Sequence, residues 1–130
     1  PGPLYGREKL AALVDADVVC YPSAYEIFGL VPFEALLCGA PVVVSRESGM
    51  GQLIEAAQAG FLAPYGDEGA LADALFEALH SPAAQAMVFL EALRLRERII
   101  AETDPEQFKR LDRIATEEAG KPNTEDWSRR

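Results

Sequence analysis

The hydrophobic pattern changes period several times along the chain, and each change marks an element. From Arg7 to Ala16, Leu10, Ala11, Leu13 and Val14 recur at helical spacing. "DVVCYP", 17–22, is instead a continuous β-branched and aromatic run closed by a proline, which predicts a buried strand. A loop follows through Gly29. A helix is expected over 31–38, with Pro32 in its first turn, where a missing N–H costs nothing, and Gly39 as its stop. "PVVVS", 41–45, is a second strand, of the all-apolar kind that fills a parallel sheet covered on both faces. "RESGMGQ", 46–52, reads as a glycine-bearing loop, with a short helix over 51–59. Gly60 leads into "FLAPY", 61–65, a third strand. Residues 66–81 open with Gly66-Asp67 and become an amphipathic helix. Asp67 or Glu68 suits its positive N-terminal end and His80 its negative C-terminal end.

The remainder reads as helical. Val88, Ala92, Leu95 and Ile99 form one stripe over 83–102, a packing face. Asp104, Pro105 and Gln107 have the order of an N-cap, a first-turn proline and a capping-box partner. Phe108, Leu111 and Ala115 continue that helix to Gly120, and 121–130 is a tail with one apolar anchor, Trp127. Strand, helix, strand, helix, strand, helix is the order of parallel βαβ units. The fold class is therefore α/β: a partial Rossmann-like parallel sheet with flanking helices over 1–82, a helical segment over 83–120 and a tail that is expected to fray. There is no internal repeat and no low-complexity tract.

Composition narrows the function classes. With 130 residues, 49% of them hydrophobic and 25% charged, the chain is one domain or part of one, with enough apolar material for a core. A formal net charge of −9 argues against nucleic acid and against an electrostatic membrane patch. No apolar run reaches the length of a membrane span. The two cysteines, Cys20 and Cys38, lie in apolar runs and are expected to be buried free thiols, not a disulfide. Two cysteines and one histidine make no zinc site, and Asp15-Ala16-Asp17 ends a helix and is not read as a metal motif. His80 has no serine and acid to form a triad with and is read as a helix C-terminal residue. No signal peptide opens the chain, so the cytoplasm is the expected compartment. The chain opens Pro1-Gly2-Pro3, and its natural start is expected to lie elsewhere.

The loops 22–31, 46–52 and 64–68 follow strands or open helices, and parallel sheets gather ligands at the carboxyl ends of their strands. The helix near Val31 adds free N–H groups and a positive dipole end suited to a phosphate. Gly29, without a side chain, lets a ligand come close to the backbone. Glu26 precedes this turn and Glu34 lies one helical turn past it. A carboxylate in the second position can accept hydrogen bonds from vicinal hydroxyls, such as those of a ribose. One in the first position faces what the phosphate carries. On position alone each acid is also an ordinary loop or dipole-favoured residue. Ser23 is a loop or capping residue, with a donor contact as the alternative.

"DADVVCYPSAYEIFGLVPFEALLCGAPVVVS" resembles the donor-site segment of the GT-B-fold retaining glycosyltransferases of family 4, the group 1 glycosyl transferases. The resemblance is carried by Glu26, Phe28-Gly29-Leu30, Glu34-Ala35 and Gly39-Ala40-Pro41-Val42-Val43. "GFLAPYGDEGALADALFEAL", 60–79, fits the same pattern, and the likeness covers about residues 1–82. It implies the C-terminal half of a nucleotide-sugar-binding domain. By this resemblance Glu34 would bind the donor's ribose. Amides of Phe28, Gly29 and Leu30 would hold the sugar, and those of Leu30 and Val31 the diphosphate. Gly49 and Met50 would complete the donor side, and Glu26 would contact the transferred sugar as the catalytic residue. The donor would be a UDP- or GDP-sugar, with no cofactor and no metal required. The acceptor would be a glycan, a lipid or a small molecule, brought by an N-terminal domain that would also make any peripheral membrane contact.

The sequence departs from the pattern in three places. Gln52 stands where family members usually carry an acid. The Arg and Lys that neutralise the diphosphate in the family have no match, Arg7 and Lys9 lying in a different context. The acceptor domain and earlier βα units are absent, so the chain reads as the C-terminal part of a longer enzyme, inactive alone. The rival readings are a nucleotide-sugar-binding module without turnover and an inactive fragment.

Overall fold

A computed structural model describes residues 2–26 and 29–102 of the chain, and residues 106, 113 and 117 beyond them. The elements are α1 (Gly6–Val14), β1 (Val19–Tyr21), α2 (Leu30–Leu37), β2 (Val42–Ser45), α3 (Gly49–Ala57), β3 (Phe61–Ala63), α4 (Glu68–His80) and α5 (Pro82–Glu102). The three strands form a parallel sheet in the order β1-β2-β3. Val19 lies opposite Val42, and Val43 opposite Phe61. This is the α/β architecture that the alternation of periods predicts. Of the helix expected over 104–120, residues 106, 113 and 117 are helical. The capping-box positions, Trp127 and the tail lie outside the described residues.

β2 is the middle strand, and all four of its residues are buried. Val42 and Val44 face one layer, packed with Leu13, Leu36, Met50, Ile54 and Leu95. Val43 faces the other with Phe61, Ala63, Ala74 and Ala78 of β3 and α4. A strand covered on both faces needs no polar alternation, which is why its sequence is uniformly apolar. α5 joins the first layer through Leu95, with Ala92 and Ile99 beside it, while Val88 reaches the second. The stripe expected along this helix is thus a packing face.

Two expectations need correction. Cys20 is exposed, and Cys38 is partly buried. β1 borders the described sheet, and its neighbours Val19 and Tyr21 turn toward the first layer. Cys20 therefore turns to the opposite face, where α4 lies over β2 and β3. The third helix begins at Gly49, not Gly51. Ser48 is its N-cap: the hydroxyl accepts from the Gly51 N–H at 2.9 Å and donates to the Ser45 carbonyl at 2.8 Å. The glycine-bearing loop is thus shorter than its composition suggests. Gly51 is required for space, because a Cβ there would lie 2.0 Å from the Ser45 carbonyl oxygen.

Candidate functional site

Parallel strands bring residues 22–26 and the loops 46–48 and 64–67 to one edge, and hydrogen bonds tie them together. The Gly49 N–H donates to the Glu26 carbonyl at 3.5 Å, and the Arg46 N–H to the Ala63 carbonyl at 3.0 Å. The Tyr65 N–H donates to Glu47 Oε2 at 2.9 Å. The rings of Tyr25 and Tyr65 meet edge to face, with centroids 6.4 Å apart. Tyr25 is 94% exposed, so the pair stands at the rim of this edge.

α2 opens here. Its N-cap is Gly29, which is buried and makes no side-chain cap because it has no side chain. The first turn is Leu30, Val31 and Pro32. Proline has no N–H, so the donors aimed outward at this end are the amides of Leu30 and Val31. The absence of a capping side chain leaves them to an external acceptor. Gly29 has extended backbone angles that any residue adopts; its need is room. A Cβ there would lie 2.8 Å from Cε1 of Tyr21, whose ring lies against the turn. The Tyr21 hydroxyl reaches on to donate to Glu26 Oε2. That hydrogen bond, with burial behind it, holds the phenol above its ordinary pKa range.

Glu34 lies one turn into α2 and is partly buried. Lys9 Nζ of α1 donates to its Oε1 at 2.7 Å, a charge-assisted contact between residues 25 positions apart. Cys38, one further turn along α2, feels both groups. Burial first, and then the Glu34 charge, push its thiol up to about 11, with smaller opposing effects from Arg96 and Lys9.

The other residues that the sequence singled out fall as follows. Ser23 is partly buried and its N–H donates to the Tyr21 carbonyl at 3.0 Å. Leu30 is 63% exposed, Val31 partly buried. Gly49 and Met50 open α3, but the Met50 side chain belongs to the core at 1% exposure, so only its backbone can face a ligand. Gln52 is exposed on α3. Phe28 lies outside the described residues. The edge therefore gathers Glu26, Gly29, Leu30, Val31, Glu34 and Gly49. Sequence reasoning set Lys9 aside and did not weigh Tyr21. Nothing local marks Lys9, since its partner comes from another helix. Tyr21 had one signal, a hydroxyl-bearing aromatic at the last position of a strand that feeds a site loop.

Among the described residues, no group of three His, Cys, Asp or Glu is arranged to hold a metal ion. No helix among them is long and apolar enough to cross a membrane.

The sequence model of the family described as glycosyl transferases group 1 matches residues 2–104. The chain is 37% identical over 105 residues to a phosphatidyl-myo-inositol mannosyltransferase of Mycobacterium leprae, covering 80% of this chain and 25% of that protein. It is 41% identical over 83 residues to a glycogen synthase of Mycobacterium tuberculosis, covering 64% of this chain and 20% of the relative. It is 37% identical over 86 residues to a D-inositol 3-phosphate glycosyltransferase of Saccharomonospora viridis, covering 66% and 20%. The chain thus spans between a fifth and a quarter of the length of these relatives. No solved structure matches the chain significantly.

Proposed function

The chain belongs to the group 1 glycosyl transferases, and from that premise we propose that it supplies the donor side of a retaining glycosyltransferase that uses a nucleotide-diphosphate sugar. One observation carries the reading. Glu26 and Glu34 flank an uncapped helix N-terminus at the carboxyl edge of a parallel sheet. The edge offers amides for a diphosphate between two acids that can each accept from hydroxyls.

In this reading the amides of Leu30 and Val31 and the dipole of α2 meet the diphosphate. Its charge is greatest as the bond from the anomeric carbon to the phosphate oxygen breaks, so these donors favour the transition state over the bound donor. Glu34 accepts from the ribose hydroxyls on one side. Glu26, on the other, accepts from the transferred sugar beside the reacting carbon. The charge on the leaving group is met by backbone amides, so the reading calls for no metal at this end. The acceptor, a glycan, lipid or small molecule, is brought by a further domain, and turnover waits on that partner because transfer needs both reactants held in reacting geometry. The relatives include a mannosyltransferase and a glycogen synthase.

The test is a nitrogen–proton NMR titration of this chain with UDP- and GDP-sugars. Shifts concentrated at 29–31, 34 and 48–51 are expected, and the nucleotide that produces them identifies the base. Shifts confined to α4 and α5, or none with either donor, would overturn the assignment.

A further inference from the structure

Lys9 is the cation in contact with a signature acid, and it comes from α1, outside the loops and the helix that form the site. Resting on the donor-site reading above, we infer that Lys9 is the positioning residue for Glu34, and that the two together form a clamp selective for an intact ribose. Glu34 has two oxygens, and Lys9 Nζ occupies Oε1 at 2.7 Å. Among the described residues no protein group donates to Oε2. A glutamate on a helix has several rotamers, and binding through a free one loses that freedom at the moment of association. A lysine fixed to one oxygen removes the loss beforehand and leaves the other oxygen to accept from a hydroxyl.

The ammonium has a second use. It carries three N–H donors, and its contact with Glu34 takes one. A ribose hydroxyl can donate its hydrogen to Glu34 and accept an N–H from Lys9 at the same oxygen. A 2′-deoxyribose can do neither at that carbon. It would leave a partly buried acid and its cation facing an apolar CH₂, which is how a site built for a hydroxyl rejects the analogue without one. The side chains of Lys9 and Glu34 are 37% and 22% exposed, so the pair is reachable from solvent but already partly desolvated. Packing of α1 keeps the pair in register: Leu10, next to Lys9, and Leu13 are both buried.

Calorimetry on this chain with UDP, GDP and their 2′-deoxy counterparts tests the inference. The unmodified chain is expected to prefer the ribonucleotide by about tenfold. Lys9→Met should bring the preference within about twofold by lowering ribonucleotide affinity alone, and Lys9→Arg should restore most of it. Lys9→Met combined with Glu34→Ala should lose no more than Glu34→Ala alone, because the two act as one unit. Equal weakening of ribo and deoxy ligands in Lys9→Met would place Lys9 on the phosphates and overturn the clamp while leaving the donor site standing. A preference unaffected by Lys9→Met would overturn it too. Absence of binding to any of the four ligands would overturn the donor-site reading itself, and the clamp with it.

Discussion

The two ends of the sheet differ in kind. At the carboxyl edge the side chains are polar and engaged with other elements: Glu26 with Tyr21, Glu34 with Lys9, Glu47 with the backbone of Tyr65. At the amino end, α2 and α5 enclose a hollow of about 440 Å³ lined by Leu36, Pro41, Val88, Phe89, Ala92 and Leu93, with Asp17 and Gln85 as its acid and amide. By shape alone the hollow is the more usual ligand cleft. It holds no convergent polar set, and it lies where strands begin. The carboxyl edge is open, but it has the helix dipole, the free amides and both acids. Strand direction, more than concavity, decides where chemistry collects in a parallel sheet.

Substitutions can sharpen this contrast, and the largest effect falls on the scaffold of the carboxyl edge. Gly51→Val drives a side chain into the Ser45 carbonyl and is expected to cost about 3 kcal/mol or more, read as a lower urea midpoint or loss of the folded spectrum. A stable Gly51→Val chain would mean that the turn after β2 can re-form elsewhere. Next comes Glu34→Ala, which should weaken nucleotide-sugar binding by about 1–3 kcal/mol in calorimetry with little change in stability. Unchanged affinity would remove the ribose role. The thiols give a smaller, directional effect. Cys38 is held at about 11, so its reactive thiolate is scarce at neutral pH and grows as pH rises toward that value. Exposed Cys20 should therefore be alkylated first, with mass spectrometry following each site. Glu34→Gln removes a charge that raises Cys38 and should speed its modification, whereas a slower reaction would separate the two groups. Smallest of all, Phe89→Ser at the amino-end hollow should change stability by about 0.5 kcal/mol or less, because Phe89 is 51% exposed, and should leave nucleotide-sugar affinity untouched. Lost affinity there would give the hollow a part in binding.

What the sequence revealed was local. The Pro32 and Gly39 ends of α2, the apolar β2 and the Asp67 cap of α4 all depend on neighbours within a few residues. Asp67 Oδ1 indeed accepts from the Ala70 N–H at 2.9 Å, and Gly39 has the left-handed φ of +82° that a helix stop uses. The placement of the two acids at a helix start was legible for the same reason. Cys20 was misjudged because a run of apolar residues does not say which face of a bordering strand a helix covers. The early start of α3 was missed because Gly49-Met50-Gly51 has loop composition, and the serine that caps it also holds the preceding strand's last carbonyl. Lys9 was missed because its contact joins two helices across 25 positions, a distance at which no spacing rule operates.

The return of α5 to the first layer has a consequence for how the chain is made. Each strand pairs with the next one in sequence, so the sheet can assemble in the order of synthesis. The cluster on its first face is completed later. Leu13, Leu36 and Met50 share their cluster with Leu95, which leaves the ribosome long after them. Until α5 emerges, α2 and α3 already lie on that face, but the sides of them that α5 packs against stay exposed, which favours aggregation. A translational pause between α4 and α5 would lengthen that exposure.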